Sequence, residues 1–127
     1  MVDRYATQAG RKYQRDLMKY LRDERGLDAE QLVLSGCEDE GDVLLRLPVN
    51  FGQNRRFVIE AKREKGFHLA DWLTQAEVEA GNYAKHRTML TPHFVVVHAR
   101  RNHKIGKSYV TTSLDQWLAQ ILPSDNT

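Results

Sequence analysis

The stretch GDVLLRLPVNFGQNRRFVIEAKRE, residues 41–64, decides how this chain folds. Asp42 to Leu47 alternates weakly and is apolar enough for a β-strand, and Pro48, Asn50 and Gly52 punctuate a turn. Arg56 to Lys62 then reads as the second arm of a hairpin. Side chains alternate along a strand, so Phe57, Ile59 and Ala61 share one face while Val58, Glu60 and Lys62 share the other. Two opposite charges at the end of an otherwise buried strand have a bland explanation, a salt-bridging pair shown to water. The hairpin supplies a second one. It brings Asp42 beside Glu60, and two converging carboxylates repel unless a cation lies between them. An all-oxygen site of that kind suits Mg2+ or Mn2+.

Working outward, Tyr13, Leu17, Tyr20 and Leu21 recur at amphipathic spacing and predict a helix from about Ala6 to Glu24, with Gly26 as its stop. A short apolar piece, Leu32 to Leu34, leads into an acidic loop from Ser35 to Gly41. Downstream, Leu69, Trp72, Leu73, Ala76, Ala80, Tyr83 and Ala84 form a helical stripe from about Leu69 to Lys85, although Gly81 inside it costs about 1 kcal/mol against alanine. HFVVVHA, residues 93–99, is too short and too β-branched for a helix and reads as a buried central strand. A basic loop from Arg100 to Gly106 precedes a strand from Lys107 to Thr111. Ser113 and Gln116 make a capping box for a last helix carrying Leu114, Trp117, Leu118, Ile121 and Leu122. The tail from Pro123 to Thr127 reads as frayed and flexible.

These elements predict an α/β fold: one domain over residues 1–122, a mixed sheet flanked by helices, with a right-handed crossover through the long helix. A chain of 127 residues with 41% hydrophobic residues can bury the core such a domain needs. No apolar run reaches membrane-spanning length and the N-terminus lacks signal-peptide order, so the expected location is cytoplasmic, with no membrane partner. The single cysteine, Cys37, excludes an internal disulfide and a multi-cysteine zinc site. The five histidines have no zinc-motif spacing, and no G-x-S-x-G or phosphate-cradling glycine loop is present.

The net charge of +2 says little, but its distribution is uneven. Acids cluster from Asp23 to Glu40, while basic residues gather around Arg11 and Lys12, Arg63 and Lys65, and Arg100, Arg101 and Lys104. Such separation favours a polyanion such as nucleic acid, against the plainer alternative of solvated basic faces.

GDVLL, a turn, and VIEAK together resemble the signature of the PD-(D/E)xK nuclease superfamily, with Asp42 as first acid and Glu60, Ala61 and Lys62 as the E-x-K element. The order of elements is similar to that superfamily's restriction-endonuclease-like αβββαβ core, over roughly residues 6–111. The resemblance implies Asp42, Glu60 and the Ala61 carbonyl as holders of Mg2+ or Mn2+, and Lys62 as the residue serving the attacking water. It also implies a glutamine on the long helix near the site, a place that falls on Gln75, with Glu79 left outside. Two departures stand out. Gly41 replaces the usual proline, and Gln14 falls where small archaeal Holliday-junction resolvases carry a glutamate; Asp16 or an acid of the 38–40 loop would have to substitute.

The implied function is a Mg2+-dependent endodeoxyribonuclease of recombination and repair, acting on branched DNA as a homodimer. Arg11, Lys12, Arg63, Lys65, Arg100, Arg101 and Lys104 would grip phosphates. A phage or archaeal origin accompanies the resemblance, which for a virus means the host-cell cytoplasm. Two alternatives stay open: a RecB-like exonuclease or single-strand nuclease, and a non-catalytic nucleic-acid-binding module on the same fold.

Overall fold

The computed structural model describes residues 8–33, 38–48 and 55–122. The Leu34 end of the short apolar piece, Cys37, the hairpin turn around Asn50 and Gly52, and the tail from Pro123 lie outside these residues.

The chain begins with α1 (Gln8–Lys19), which buries Tyr13 and Leu17 and runs on into one π-helical turn, Tyr20–Glu24. Gly26 adopts φ +64° and its N–H donates to the Arg22 carbonyl at 3.1 Å, the left-handed stop that a glycine permits. Strands β1 (Asp28–Gln31), β2 (Val43–Arg46) and β3 (Arg56–Lys62) follow. Then come α2 (Leu69–Arg87), β4 (His93–His98), a 3-10 turn at Ile105–Lys107, β5 (Tyr109–Thr111) and α3 (Leu114–Ile121).

The five strands form one sheet in the order β1-β2-β3-β4-β5. β2 and β3 pair antiparallel with Val43 opposite Ile59 and Leu45 opposite Phe57, as the hairpin reading requires. β3 and β4 run parallel, joined through α2, so their C-terminal ends leave the sheet on the same side. The sheet is therefore mixed and flanked by helices, and its element order is αβββαβ followed by a strand and a helix.

Two apolar layers hold it together. On one face Val43, Ile59, Ala61, Val95 and Val97 pack under Tyr13 and Leu17 of α1. On the other Leu44, Val58, Phe94 and Val96 pack under Trp72, Ala76, Ala80 and Tyr83 of α2. Alternate residues of β4 enter opposite layers, which is why HFVVVH is an apolar run without alternation. Val58 lies in the α2 layer, so Glu60 and Lys62, two and four residues on, project beneath α2 as well.

Three elements differ from the sequence reading. β1 is an additional strand, with only Ala29 buried, held on β2 in part by Arg46 pairing with Asp28 and Glu30. The expected strand over Lys107–Thr111 is shorter because Lys107 belongs to the 3-10 turn. The capping box of α3 is half formed: Ser113 Oγ accepts from the Gln116 N–H at 3.1 Å, but the Gln116 side chain turns instead to the Phe94 N–H at 3.2 Å. Gly81 does not break α2; a Cβ there would meet nothing within 4 Å.

Candidate active site

The short segment before β2 sets up the site. Gly41 adopts φ +105°, and a Cβ at this position would stand 2.5 Å from Val58 Cγ1, so the residue before the first acid has to be glycine here. A proline, locked near φ −65°, could not take this conformation. Gly41 N–H donates to Asp39 Oδ1 at 2.9 Å, and Asp42 N–H donates to the Ile59 carbonyl at 3.1 Å. Asp42 thus continues the β2 ladder by one residue and lies across from Glu60. Its Oδ2 accepts from the Ala61 N–H at 2.8 Å.

Glu60 and Lys62 form an ion pair of 3.1 Å with side-chain exposures of 5% and 16%. The surface salt bridge considered for them is thus a buried one. Gln75 of α2 joins the pair: its Oε1 accepts from Lys62 Nζ at 3.0 Å, and its Nε2 donates to Glu60 Oε2 at 2.9 Å and to Glu79 Oε2 at 3.0 Å. Both hydrogens and the acceptor of that amide are used, which leaves one orientation for the side chain.

Glu79, which the sequence reading left out, is 2% exposed and belongs to the site. The available signal was its spacing of four residues from Gln75; what could not be read was that α2 lies against β3 at that turn. Glu60 Oε1 and Glu79 Oε1 are buried without a hydrogen-bond partner. Burial, and then neighbouring Glu60, hold Asp42 well above the usual carboxylate range. Burial and the adjacent Glu79 do the same to Glu60. Burial, opposed by hydrogen bonding to Glu60 and Gln75 and reinforced by Asp39 and Asp42, lifts Glu79 to about 7. For Lys62, burial pulls downward but Glu60 outweighs it, and the ammonium is held above its ordinary value.

Two buried carboxyls, Glu60 and Glu79, with the half-buried Asp42, all of raised proton affinity, and two orphaned oxygens match the donor chemistry of a hard divalent cation. Among the described residues, no three His, Cys, Asp or Glu side chains form a group able to hold a metal by themselves. Mg2+ does not need one, since it is commonly bound by one or two carboxylates with water and substrate oxygens completing its shell. The residues present fit it.

Of the substitutes for the first-helix glutamate, Asp16, Glu38 and Glu40 are paired elsewhere, whereas Asp39 lies near enough for its charge to raise Asp42 and Glu79. Asp16 pairs with Lys12 at 2.5 Å. Glu38 and Glu40 are tied to the last turn of α2 by Lys85, His86 and Arg87 at 2.5–2.9 Å. Those bridges, with Asn82 Nδ2 donating to the Asp39 carbonyl at 2.9 Å, moor the segment that delivers Asp42.

The basic residues fall in separate places. Arg63, Lys65, Arg100 and Arg101 line one groove of about 660 Å³ with Tyr13, Phe67 and Tyr109. It opens where β3 and β4 end, directly after Lys62. Arg11 and Lys12 line a different depression on α1 with Arg15. Lys104 is exposed just before the 3-10 turn.

No family model matches the sequence, and no curated protein matches it either. Among solved structures the chain is similar to Hjc of Archaeoglobus fulgidus, a Holliday junction resolvase from an archaeal hyperthermophile. The identity is 19% over 74% of this chain and 71% of that one, with a TM-score of 0.48. Among the described residues, no helix is long and apolar enough to cross a membrane.

Proposed function

We propose that this chain is a Mg2+- or Mn2+-dependent endodeoxyribonuclease of the PD-(D/E)xK kind. One observation carries the reading: Glu60 and Lys62, tied together through Gln75, and Asp42, held on the Ala61 N–H, lie where β3 ends and the basic groove begins. Asp42, Glu60 and the Ala61 carbonyl are the groups that would hold the cation. Bound there, it would supply Lewis-acid polarisation of a phosphoryl oxygen and a water of lowered pKa.

The chain's own residues do the rest. Lys62 remains an ammonium at neutral pH, so it offsets the negative charge growing on the phosphate rather than accepting a proton from water. Gln75 positions both Lys62 and Glu60, and Glu79 anchors Gln75. Arg63, Lys65, Arg100 and Arg101 hold backbone phosphates on either side, which positions DNA without reading its sequence.

Branched DNA as the substrate comes from the resemblance of the motif and element order to small junction resolvases. Two symmetric cuts need a two-fold pair of sites. Leu114, Trp117 and Ile121 on α3, with Leu122 just after it, are 51–68% exposed, apolar surface of the kind a second copy would cover.

The test is cleavage of a labelled four-way junction beside linear duplex and single-stranded DNA, with wild type and Glu60→Gln. Paired symmetric nicks that require Mg2+ and vanish in the variant are the expected result. Digestion of linear or single-stranded DNA alone would replace the junction by a RecB-like substrate. DNA binding with no cleavage in Mg2+ or Mn2+ would leave a binding module and sink the nuclease.

A further inference from the structure

Phe67 and Tyr109 line the same groove as the four basic side chains, yet both rings stand open to water, at 55% and 41% exposure. They meet edge to face, 5.7 Å between centroids at 79°. His98 backs them, its ring 5.1 Å from Phe67 and 5.2 Å from Tyr109. That histidine is 3% exposed and held to Thr111 Oγ1 at 2.9 Å, so the two rings rest on β4 and β5 rather than on a loose loop. Trp72 of α2 closes the cluster from the other side, 6.2 Å from Phe67. The Arg100 guanidinium lies 5.5 Å from the Tyr109 ring centre.

Open aromatic rings interleaved with phosphate-binding cations are the arrangement by which proteins hold unpaired nucleotides: the cations follow the backbone and the rings stack the bases. A volume of about 660 Å³ is in the range of sites that enclose a small ligand. The groove also adjoins the candidate active site. Arg63 follows Lys62 in the chain, and Ala99, another lining residue, donates its N–H to the Lys62 carbonyl at 2.9 Å.

We infer that the groove binds an unpaired nucleobase, stacked on one of the two rings of Phe67 and Tyr109 with the other against its edge, and with its flanking phosphates held by Arg63, Lys65, Arg100 and Arg101. The position of that base beside a scissile phosphate rests on the nuclease reading; the stacking itself does not. Drawing a base out of an intact duplex costs about as much as one stacking platform returns, so continuous duplex gains nothing from the groove. A single strand, a bulge or a branch point has already met that cost. The preferred DNA is therefore one with a base already out of the stack.

The experiment uses full-length Glu60→Gln without divalent metal, and DNA carrying 2-aminopurine in a single strand, in a one-base bulge or paired within a duplex. Binding is expected to quench the probe in the first two and leave it unchanged in the third. Phe67→Leu and Tyr109→Leu are each expected to weaken single-strand and bulge binding about tenfold. The ring-retaining Phe67→Trp and Tyr109→Phe should keep the quench. Circular dichroism checks the fold of every variant, and the ring-retaining pair decides the matter if a leucine variant unfolds.

No quenching, equal quenching in duplex, or leucine variants that bind as tightly as the parent would overturn the inference. So would failure to bind DNA at all. If wild type cuts DNA with Mg2+ but shows no ring-dependent quench, only the stacking groove falls. A ring-dependent quench in a protein that cuts nothing sustains the groove and removes the nuclease.

Discussion

Replacing Glu79 with glutamine is expected to stabilise the metal-free protein at pH 8 and to change it little at pH 5. Glu79 is 2% exposed, and its Oε1 has no hydrogen-bond partner. Burial, with Asp39 and Asp42 nearby, lifts its pKa from 4.5 to about 7. A carboxyl whose folded pKa exceeds its unfolded value binds its proton more tightly in the native state. Its stabilising contribution is therefore complete below the unfolded value and is lost as pH rises through the folded one. A shift from 4.5 to about 7 corresponds to roughly 3 kcal/mol, of which about 2.5 kcal/mol disappears between pH 5 and pH 8. For a domain of this size that is about 8–10 °C in Tm. Asp42 and Glu60, also raised, add loss of the same sign. Glutamine keeps an acceptor for Gln75 and carries no charge, so the variant should show a pH dependence flatter by about 2.5 kcal/mol. Urea denaturation with chelator present at pH 5 and pH 8 measures this, and Mg2+ added at pH 8 should recover wild-type stability. A wild type equally stable at both pH values, or a variant weaker than wild type at pH 8, would refute the account of a carboxyl cluster strained for want of a cation.

Gly41→Ala should cost about 3 kcal/mol in urea denaturation, combining a left-handed backbone with a methyl forced onto buried Val58; a cost under about 1 kcal/mol would show that the segment can relax. Gly81→Ala fills open space in the middle of α2 and is expected to raise stability by about 0.5–1 kcal/mol by the same assay, while destabilisation would mean a neighbour approaches there. Arg101→Ser should lower the slope of log affinity against log salt by about 1 without changing preference among DNA sequences, as fluorescence anisotropy across a salt series would report. Ser113→Ala removes the acceptor for the Gln116 N–H and should cost about 1 kcal/mol, read as loss of helix by circular dichroism during thermal unfolding.

Much of the fold is legible because its signals are local. The hairpin of β2 and β3 shows in period-two alternation and turn residues, α2 in a stripe of seven apolar positions, and β4 in a β-branched run too short for a helix. Asp42, Glu60 and Lys62 were readable for the same reason, since pairing two adjacent strands brings these positions together, whereas Gln75 entered through the resemblance alone. β1 was not readable, because Asp28, Glu30 and Gln31 have no apolar alternation and become a strand only once β2 offers a ladder and Arg46 a counter-charge. The last helix was read from its capping signal and its apolar residues, yet Leu114, Trp117 and Ile121 stay exposed. Hydrophobicity records what a side chain prefers, and not whether the described chain covers it.

The sequence by itself determined the periodicities, and with them the order of the elements other than β1, the faces of the strands and the convergence of Asp42, Glu60 and Lys62. Tertiary structure alone decided their environment. It buried Glu60 and Glu79, left an oxygen on each without a partner, and raised the proton affinity of both, because desolvation depends on what packs above a residue and not on its neighbours in the chain. It also gathered Arg63, Lys65, Phe67, Arg100, Arg101 and Tyr109 around one groove, by running β3 and β4 parallel so that the loops at their ends open on the same side.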